Sequence, residues 1–239
     1  MLHTPTTAAE VRQLDGGYAR ETRALLYQTY LLDPTFAYLF EAQRPGFERR
    51  VRSTVRQLVN QHFLQDLPAL GLFFDDRLAG VALVAPPQRR LGITESWAWQ
   101  WRMMLGTGVE GTRRYLEYHH AVQACLPSDA VHVLPLLGLH PDFQGPQLAE
   151  QLLTAVHNWC AQDPTSEGVV LDTGNPRYLD FFQRQGYTQV GEVALGPVGE
   201  HVFFHPRPET VGSAPAGYPA IRDAFQGPNR HPGRDSIRL

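Results

Sequence analysis

The first part of the chain carries two stretches in which apolar side chains recur every three or four residues. This spacing predicts two amphipathic helices. The first stretch contains Ala24, Leu25, Tyr27 and Leu31, and the second contains Phe47, Val51, Val55, Leu58, Val59 and His62. The segment between them, LLDPTFAYLF, is interpreted as a connecting loop.

Residues 70–85 change from helical to strand-like patterning. Two short β-prone runs lie on either side of Asp75, Asp76 and Arg77, which predicts a hairpin. Farther along, TESWAWQWRMML is followed by TRRYLEYHHAVQAC, in which Tyr115, Tyr118, His119 and Val122 share one helical face. We interpret residues 92–124, approximately, as a helical insertion between strands.

The run VHVLPLLGL, from Val131 to Leu139, is almost continuously apolar and predicts a strand covered on both faces. Pro135 cannot donate to a β-ladder, so we expect it where the strand leaves its neighbour or bulges. Helical spacing of Leu148, Leu152, Val156 and Trp159 then predicts a helix. A strand (GVVLDT), a short helix (NPRYLDFFQRQ) and a terminal hairpin are expected to follow.

Composition sets the class of protein. The 239 residues are 43% hydrophobic and 19% charged, as expected for one globular domain, here residues 1–205. Residues 206–239 are rich in Pro, Gly and Arg and are expected to be a mostly disordered tail. A net charge of −3 argues against nucleic acid and against an acidic membrane as partners. Neither of the two cysteines has metal-ligand spacing around it, so no metal is expected.

The start of the chain lacks a basic segment followed by an apolar core, and no apolar run approaches the length of a membrane helix. We therefore expect a soluble, cytoplasmic protein.

The turn after Leu139 is the first indication of chemistry. The strand ends there, passes through HPDFQGPQ and opens directly into a helix, which places several free backbone N–H groups at one point. Together with the helix macrodipole, these donors favour a phosphate or pyrophosphate group.

Two segments in this region resemble the GNAT superfamily of acyl-CoA N-acyltransferases. Residues 139–149, LHPDFQGPQLA, resemble the family's acyl-CoA signature, in which a hydrophobic strand end and Gln/Arg-x-x-Gly-x-Gly/Ala enclose the pyrophosphate. About 26 residues later, NPRYLDFFQRQGY (residues 175–187) resembles the partner motif of the same family. The resemblance covers about residues 130–205. It implies an α/β GNAT fold, with a twisted mixed central sheet of about six or seven strands flanked by helices on both faces.

The resemblance also implies an activity, the transfer of acetyl from acetyl-CoA to a primary amine by direct attack in a ternary complex. The backbone of Leu137, Gly138 and Leu139 would pair with the pantetheine arm of this cosubstrate, and Asn175 would bond it near the reactive end. The pyrophosphate would be held by the loop and helix start, which comprise Gln144, Gly145, Pro146, Gln147, Leu148 and Ala149. A backbone N–H near Leu139 would polarise the thioester carbonyl.

Two positions depart from the family pattern. Gln147 replaces a glycine of the loop, and Phe182, counted among the cofactor-binding residues, replaces a tyrosine that returns a proton to the CoA thiolate in many relatives. Tyr178 lies one turn earlier on the same helical face and is expected to substitute as the catalytic acid. The assigned catalytic base is His132, and the other candidates, which spacing does not separate from it, are Glu95, His119 and Asp172.

Other readings stay open at this point. Asn175 also suits the role of a helix cap, and Tyr178 that of an aromatic residue lining the cleft or core. The departures at Gln147 and Phe182 are compatible with a non-catalytic acyl-CoA-binding module, and a bulkier acyl-CoA is a further alternative. The acceptor is expected to be a small-molecule or peptide amine, since the helical insertion is similar to the branch that acetylates compounds such as puromycin. A monomer and a homodimer are both compatible with the sequence.

Overall fold

The computed structural model describes residues 9–87, 97–143 and 145–208. Seven strands form one mixed sheet in the order β1-β2-β3-β4-β5-β7-β6. Only β4 and β5 are parallel neighbours among these strands. The strands are β1 (Glu10–Gln13), β2 (Ala69–Phe74), β3 (Arg77–Ala85), β4 (Val131–Leu139), β5 (Gly168–Thr173), β6 (Thr188–Leu195) and β7 (Val198–Pro206).

The described residues also form six α-helices. These are α1 (Ala19–Tyr30), α2 (Pro34–Leu39), α3 (Phe47–Leu64), α4 (Trp97–Ala124), α5 (Pro146–Cys160) and α6 (Leu179–Arg184). The helices lie on both faces of the sheet, so the α/β architecture expected from the sequence is confirmed. The predicted tail from residue 209 onward, and residues 92–96 of the predicted insertion, lie outside the described residues.

Alternating side chains of the central strands separate the two layers of the core. Val81 and Leu83 of β3 face the cluster built with α1 to α4, where Leu26, Phe40, Trp99 and Met103 are fully buried. Ala82 and Val84 face the opposite cluster with α5 and α6. Each face of the sheet is therefore covered by its own helical layer, which is why these strands are apolar throughout.

The hairpin predicted at residues 70–85 is present. Asp75 and Asp76 both have positive φ (49° and 56°), as a two-residue turn between twisted antiparallel strands requires. Aspartate tolerates this left-handed region better than most residues. The turn therefore forms at the two positions that the sequence singled out.

Two elements differ from the sequence-based expectation. The segment interpreted as a loop contains α2, which begins with Pro34 and is capped by Asp33, whose side chain accepts from the Phe36 N–H at 2.9 Å. An Asp-Pro pair is a helix start as readily as a turn, and burial of Phe36 decides the outcome here. Strand β1 was not predicted, because its short polar sequence becomes a strand only by pairing with β2.

None of the described helices combines the length and the apolarity that a membrane crossing needs.

His62, on α3, gives the fold a dependence on pH. It is 1% exposed, its Nε2 lies 2.8 Å from the Pro68 carbonyl oxygen, and its Nδ1 has no partner among the described residues. Burial lowers the pKa of His62 to about 4. The ordinary pKa of a histidine is about 6.5, so between this pH and the lowered pKa of His62 the imidazole is protonated in the unfolded chain and neutral in the folded one.

We predict that protonation of His62 subtracts about 2 kcal/mol from the free energy of unfolding as pH drops from 7 to 5, a loss that the raised pKa values of Asp33 and Glu200 oppose in wild type and variant alike. A His62→Gln variant can still donate to Pro68 but does not titrate, so its stability should fall less over this range. Urea unfolding of both proteins at pH 7 and pH 5 measures the difference. His119 and His157, whose pKa values burial also lowers to about 4, leave a residual slope in the variant. Equal slopes for the two proteins would contradict the assignment to His62.

Candidate active site

The two central strands part in the middle of the sheet. β4 pairs with β5 only from Val131 to Val133. Beyond this point β4 continues along β3 as far as Leu139, whereas β5 continues along β7 as far as Thr173. A cleft therefore opens between two strands that both remain firmly held on their outer sides.

Pro135 lies at the point of divergence. Ala85 pairs with Val133 and Leu83 pairs with Leu136, so Leu134 and Pro135 together oppose one residue of β3. This bulge agrees with the sequence-based expectation for Pro135. It also shifts the alternation of side chains, because Leu134 packs toward α5 and Leu136 toward α1.

Beyond the bulge, one edge of β4 faces the cleft. His140 N–H donates to Ala79 of β3, so by the alternation of antiparallel pairing the backbone groups of Leu137 and Leu139 point away from β3. Side chains of α1 bond them instead. The Tyr30 hydroxyl accepts from the Leu137 N–H at 3.1 Å and donates to the Leu137 carbonyl at 3.4 Å, and the Thr29 hydroxyl donates to the Leu139 carbonyl at 3.0 Å.

The cleft has a volume of about 620 Å³. It is lined by most of the residues that the sequence motifs indicated as cofactor-binding or catalytic. These are Leu137, Gly138, Leu139, Gly145, Pro146, Ala149, Asn175, Tyr178 and Phe182. The two motifs are thus brought to a single cavity by the fold.

The start of α5 forms one end of the cleft. Gly145 is the extended N-cap and Pro146 the first helical residue, so the N–H groups of Gln147 and Leu148 are among those left without a helical partner. A Cβ atom at Gly145 would meet nothing within 4 Å, which leaves open space for a ligand. The Gln147 side chain is exposed and does not line the cleft, and Leu148 packs into the core. Gln144 lies outside the described residues.

Two acidic side chains meet on the cleft wall that faces α2 and α4. Asp172 of β5 and Glu200 of β7 are hydrogen-bonded to each other, and Glu200 is only 2% exposed. The Tyr118 hydroxyl donates to Asp172 Oδ2, and the Thr35 hydroxyl donates to Glu200 Oε2. All four side chains line the cleft.

Burial determines the charge of this pair. Desolvation raises the pKa of Glu200, and the neighbouring Asp172 carboxylate raises it further. Desolvation also raises the pKa of Asp172, but the hydrogen bonds from Glu200 and Tyr118 oppose the shift because they stabilise its charged form. The pair therefore favours the state in which Glu200 holds the proton and Asp172 carries the negative charge.

Asp33 adds a second carboxylate to the cleft. It lines the cavity close to α2, and burial raises its pKa to about 6. Above this pH it is ionised, so the wall around Asp172 carries two negative charges at physiological pH.

The structure separates His132 from the cleft, which corrects its assignment as the catalytic base. Its side chain is fully buried, its Nδ1 lies 2.7 Å from the Ser166 hydroxyl, and its ring packs edge-on against Trp159. His119 stacks on Tyr115 and does not line the cleft. Glu95 lies outside the described residues. Among the three base candidates that the structure describes, Asp172 is the one that lines the cavity.

The remaining predicted residues have mixed roles. Asn175 caps the short helical turn that follows it, with Oδ1 accepting from the Arg177 N–H at 3.1 Å, while also lining the cleft. Tyr178 is 44% exposed on the cleft wall. Phe182 is 7% exposed and packs against Tyr187 and Phe203, as a core residue does.

Sequence reasoning missed several polar residues of the cleft, namely Tyr30, Asp33, Thr35, Tyr118 and Glu200. One signal was present for Glu200, a glutamate that points inward in the otherwise largely apolar strand β7. The others lie on three different helices, and nothing in the sequence brings them together.

The sequence matches no protein-family model and no curated protein significantly. Solved structures nevertheless share the fold. An agmatine N-acetyltransferase variant in its apo form is 17% identical over 83% of this chain and 99% of its own, with a TM-score of 0.59. Arylalkylamine N-acetyltransferase 2 from Aedes aegypti is 13% identical over 84% and 99%, with a TM-score of 0.57.

A GNAT-family protein from Desulfovibrio desulfuricans is similar over 84% of this chain and 100% of its own, at 14% identity and a TM-score of 0.51. At such identities the likeness establishes architecture, and the parted central strands with the helix start at the end of the cleft agree with it. The chain has the fold of the GNAT N-acetyltransferases.

Proposed function

We propose that this protein is an acetyl-CoA-dependent N-acetyltransferase that acetylates a primary amine of a small molecule or peptide. One observation carries the proposal. A single cleft combines a displaceable strand edge on β4, a helix start that suits a diphosphate, and an ionised carboxylate, Asp172, that suits an amine. The three features correspond to the two substrates of such a transfer.

The residues present fit the cosubstrate. The amide groups of a pantetheine arm can bond the Leu137 carbonyl and the Leu139 backbone in place of the hydroxyls that now occupy this edge, in the manner of an added strand. The N–H groups at the start of α5 face the position of the pyrophosphate, where the macrodipole favours negative charge. Pro146 lacks an N–H, so the proposed cradle has one donor fewer than a helix start normally provides.

The charge of the opposite wall supports a cationic acceptor. A primary amine is protonated at neutral pH, and the carboxylates of Asp172 and Asp33 attract it into the cleft. The names of two structural neighbours, an agmatine and an arylalkylamine N-acetyltransferase, are consistent with small amine acceptors. Neither name identifies the acceptor of this protein.

We assign the base to Asp172. Its carboxylate takes the proton from the ammonium group, and the freed nitrogen attacks the thioester carbon to form a C–N bond. The C–S bond breaks, and its electron pair leaves with the sulfur as CoA thiolate. As the C–S bond breaks, the nitrogen gives up its second proton, which passes by way of the Tyr178 hydroxyl or solvent to the thiolate, so that the products are the amide and CoA thiol. No bond to the protein forms, and acetyl-CoA is the only cosubstrate required.

A non-catalytic acyl-CoA-binding module is the second candidate, and the observation that favours it is Phe182 at the position of the usual acid. Thiol release separates the two functions. The enzyme should release CoA thiol from acetyl-CoA in the presence of at least one primary amine from a panel that includes agmatine and an arylalkylamine. Cofactor binding without thiol release on every amine would favour the module.

The pyrophosphate site is tested by a charge at Gln147. We predict that Gln147→Glu weakens CoA binding about fivefold, because the new carboxylate lies in the same helical turn as the backbone N–H groups that would hold the diphosphate and opposes its negative charge. The same change should leave the fold as stable or more stable, since a negative charge in the first turn favours the helix. Calorimetric titration with CoA and urea unfolding measure the two effects.

The matched control is Asn158→Asp, which makes the same charge change at an exposed position near the other end of α5. It should leave CoA affinity unchanged. Equal losses in the two variants would argue against a site at the helix start, and absence of CoA binding by the wild-type protein at millimolar concentration would remove the proposed function altogether.

The base is tested by Asp172→Asn. We predict a fall in kcat of at least a hundredfold with little change in CoA affinity, because the amide cannot accept the proton. In the wild-type protein the rate should rise with pH through the raised pKa of Asp172, since the base acts in its ionised form. Measurement of kcat against pH at saturating amine should show this acidic limb in the wild type and not in the variant.

The control for this experiment is Asp76→Asn, at the exposed β2–β3 turn, which should retain the wild-type rate and pH profile. An acidic limb that persists unchanged in Asp172→Asn would assign the base to another group.

The shared proton is tested by Glu200→Gln. Folding raises the pKa of Glu200. The side chain therefore stabilises the fold fully at pH values below the pKa of glutamate in the unfolded chain, near 4, and progressively less as pH rises above it. An amide has the shape of the neutral acid and never ionises, so the variant should be more stable than wild type at pH 8, by about 1–3 kcal/mol. This gap should narrow toward pH 4.5. Urea unfolding at both values measures it, with Glu200→Ala, which loses the hydrogen bonds, as a destabilised control.

A further inference from the structure

Tyr30 is placed where the proposed reaction develops charge. It is the last residue of α1, and its hydroxyl bonds both the N–H and the carbonyl of Leu137, at 3.1 and 3.4 Å. Its ring packs against Phe36 with the centroids 4.5 Å apart. The phenol is therefore held at the cleft-facing edge of β4 by packing as well as by hydrogen bonds.

The Leu137 N–H lies on this edge two residues after Pro135, which has no N–H. It is consequently available to a carbonyl oxygen that enters the cleft near the point where the two strands part. A thioester oxygen that takes this N–H replaces the phenolic oxygen as acceptor and frees the Tyr30 O–H. With α1 still packed on the sheet, the freed O–H lies beside the incoming oxygen.

We propose that Tyr30 is a catalytic residue whose hydroxyl donates to the thioester oxygen alongside the Leu137 N–H, so that the two form the oxyanion hole. The inference rests on the proposed N-acetyltransferase function. As the amine nitrogen bonds to the carbonyl carbon, an electron pair moves onto this oxygen, and both donors stabilise it. The pair returns when the C–S bond breaks and thiolate leaves.

The environment of Tyr30 suits a donor that does not ionise. Burial raises its pKa well above the ordinary value, and the negative charges of Asp33 and Asp172 add to this shift. The proton therefore stays on the phenol throughout the reaction. Donors fixed before the reaction begins cost no reorganisation, and removing one typically lowers kcat by about 10² to 10³.

In a simpler alternative, the Tyr30 hydroxyl only bonds the cleft-facing backbone groups of Leu137 until the cosubstrate replaces it. The Tyr30→Phe variant distinguishes the two, because it removes the hydroxyl and keeps the packing. We expect kcat to fall about a hundredfold, with a small change in the KM for acetyl-CoA. Affinity for free CoA, which lacks the carbonyl, should be unchanged or higher. An unchanged kcat with tighter CoA binding would overturn the proposal and leave the simpler role.

A spectroscopic measurement gives a readout that does not depend on turnover. Acetyl-CoA carrying ¹³C at the thioester carbonyl, bound without amine, should show its carbonyl stretch at lower frequency than in water, because two donors polarise the bond. The shift should be smaller in Tyr30→Phe. Equal carbonyl frequencies in the two proteins would overturn the proposal.

Tyr27→Phe is the matched control. It removes a hydroxyl from the same helix, where the group lies 3.5 Å from Glu48 and outside the cleft, and should retain the wild-type rate and carbonyl frequency. Thermal unfolding of all three proteins checks that they remain folded. If wild-type protein binds CoA and transfers acetyl, an unaffected Tyr30→Phe contradicts only the role of Tyr30. If wild-type protein does neither, the proposed function itself fails.

Discussion

The cleft depends on one constraint, the need of buried backbone groups for hydrogen-bond partners. β4 loses its partner β5 after Val133 but remains inside the molecule, so its cleft-facing groups must be satisfied in another way. Pro135 has no N–H to satisfy, and hydroxyls of Tyr30 and Thr29 bond the groups of Leu137 and Leu139. A hydroxyl can be displaced by a ligand with the same donors and acceptors, whereas a neighbouring strand cannot. The sheet is thus stable when empty and still open to an extended ligand.

The charges of the cleft depend on a second constraint, the free-energy cost of burying two carboxylates side by side. Glu200 and Asp172 are costly to bury together, and sharing one proton removes one of the two charges. The remaining charge is stabilised by hydrogen bonds from Tyr118 and from the protonated Glu200. The pair is thereby poised to accept a proton, at the expense of stability at higher pH. Shifted pKa values beside an open cavity are common at functional sites.

The two ends of the cleft differ in the sign of the charge that they present to a ligand. The start of α5 offers N–H groups and the positive end of a helix dipole, whereas the wall formed by β5, β7 and α2 offers carboxylates. In the proposed function, these groups direct an anionic cosubstrate and a cationic acceptor to different parts of the cleft, with the exposed edge of β4 between them. Because one fold can serve many functions, the function proposed above rests on these groups and not on the fold alone.

Local patterns in the sequence determined most of the elements of this protein and indicated where the proposed diphosphate site lies. The β2–β3 turn, the bulge at Pro135 and the start of α5 each depend on the backbone preferences of a few adjacent residues, so they could be predicted one by one. The sequence did not reveal β1, whose polar residues become a strand only through β2, nor α2, whose start resembles a turn. It also favoured His132 as base, because a histidine in a strand has the right chemistry wherever it lies. Only the tertiary structure buried His132 and gathered Tyr30, Tyr118, Asp172 and Glu200 around one cavity. Proton sharing and hydrogen bonding act over a few ångströms, and residues up to 170 positions apart reach that distance only when the sheet and its helices have packed.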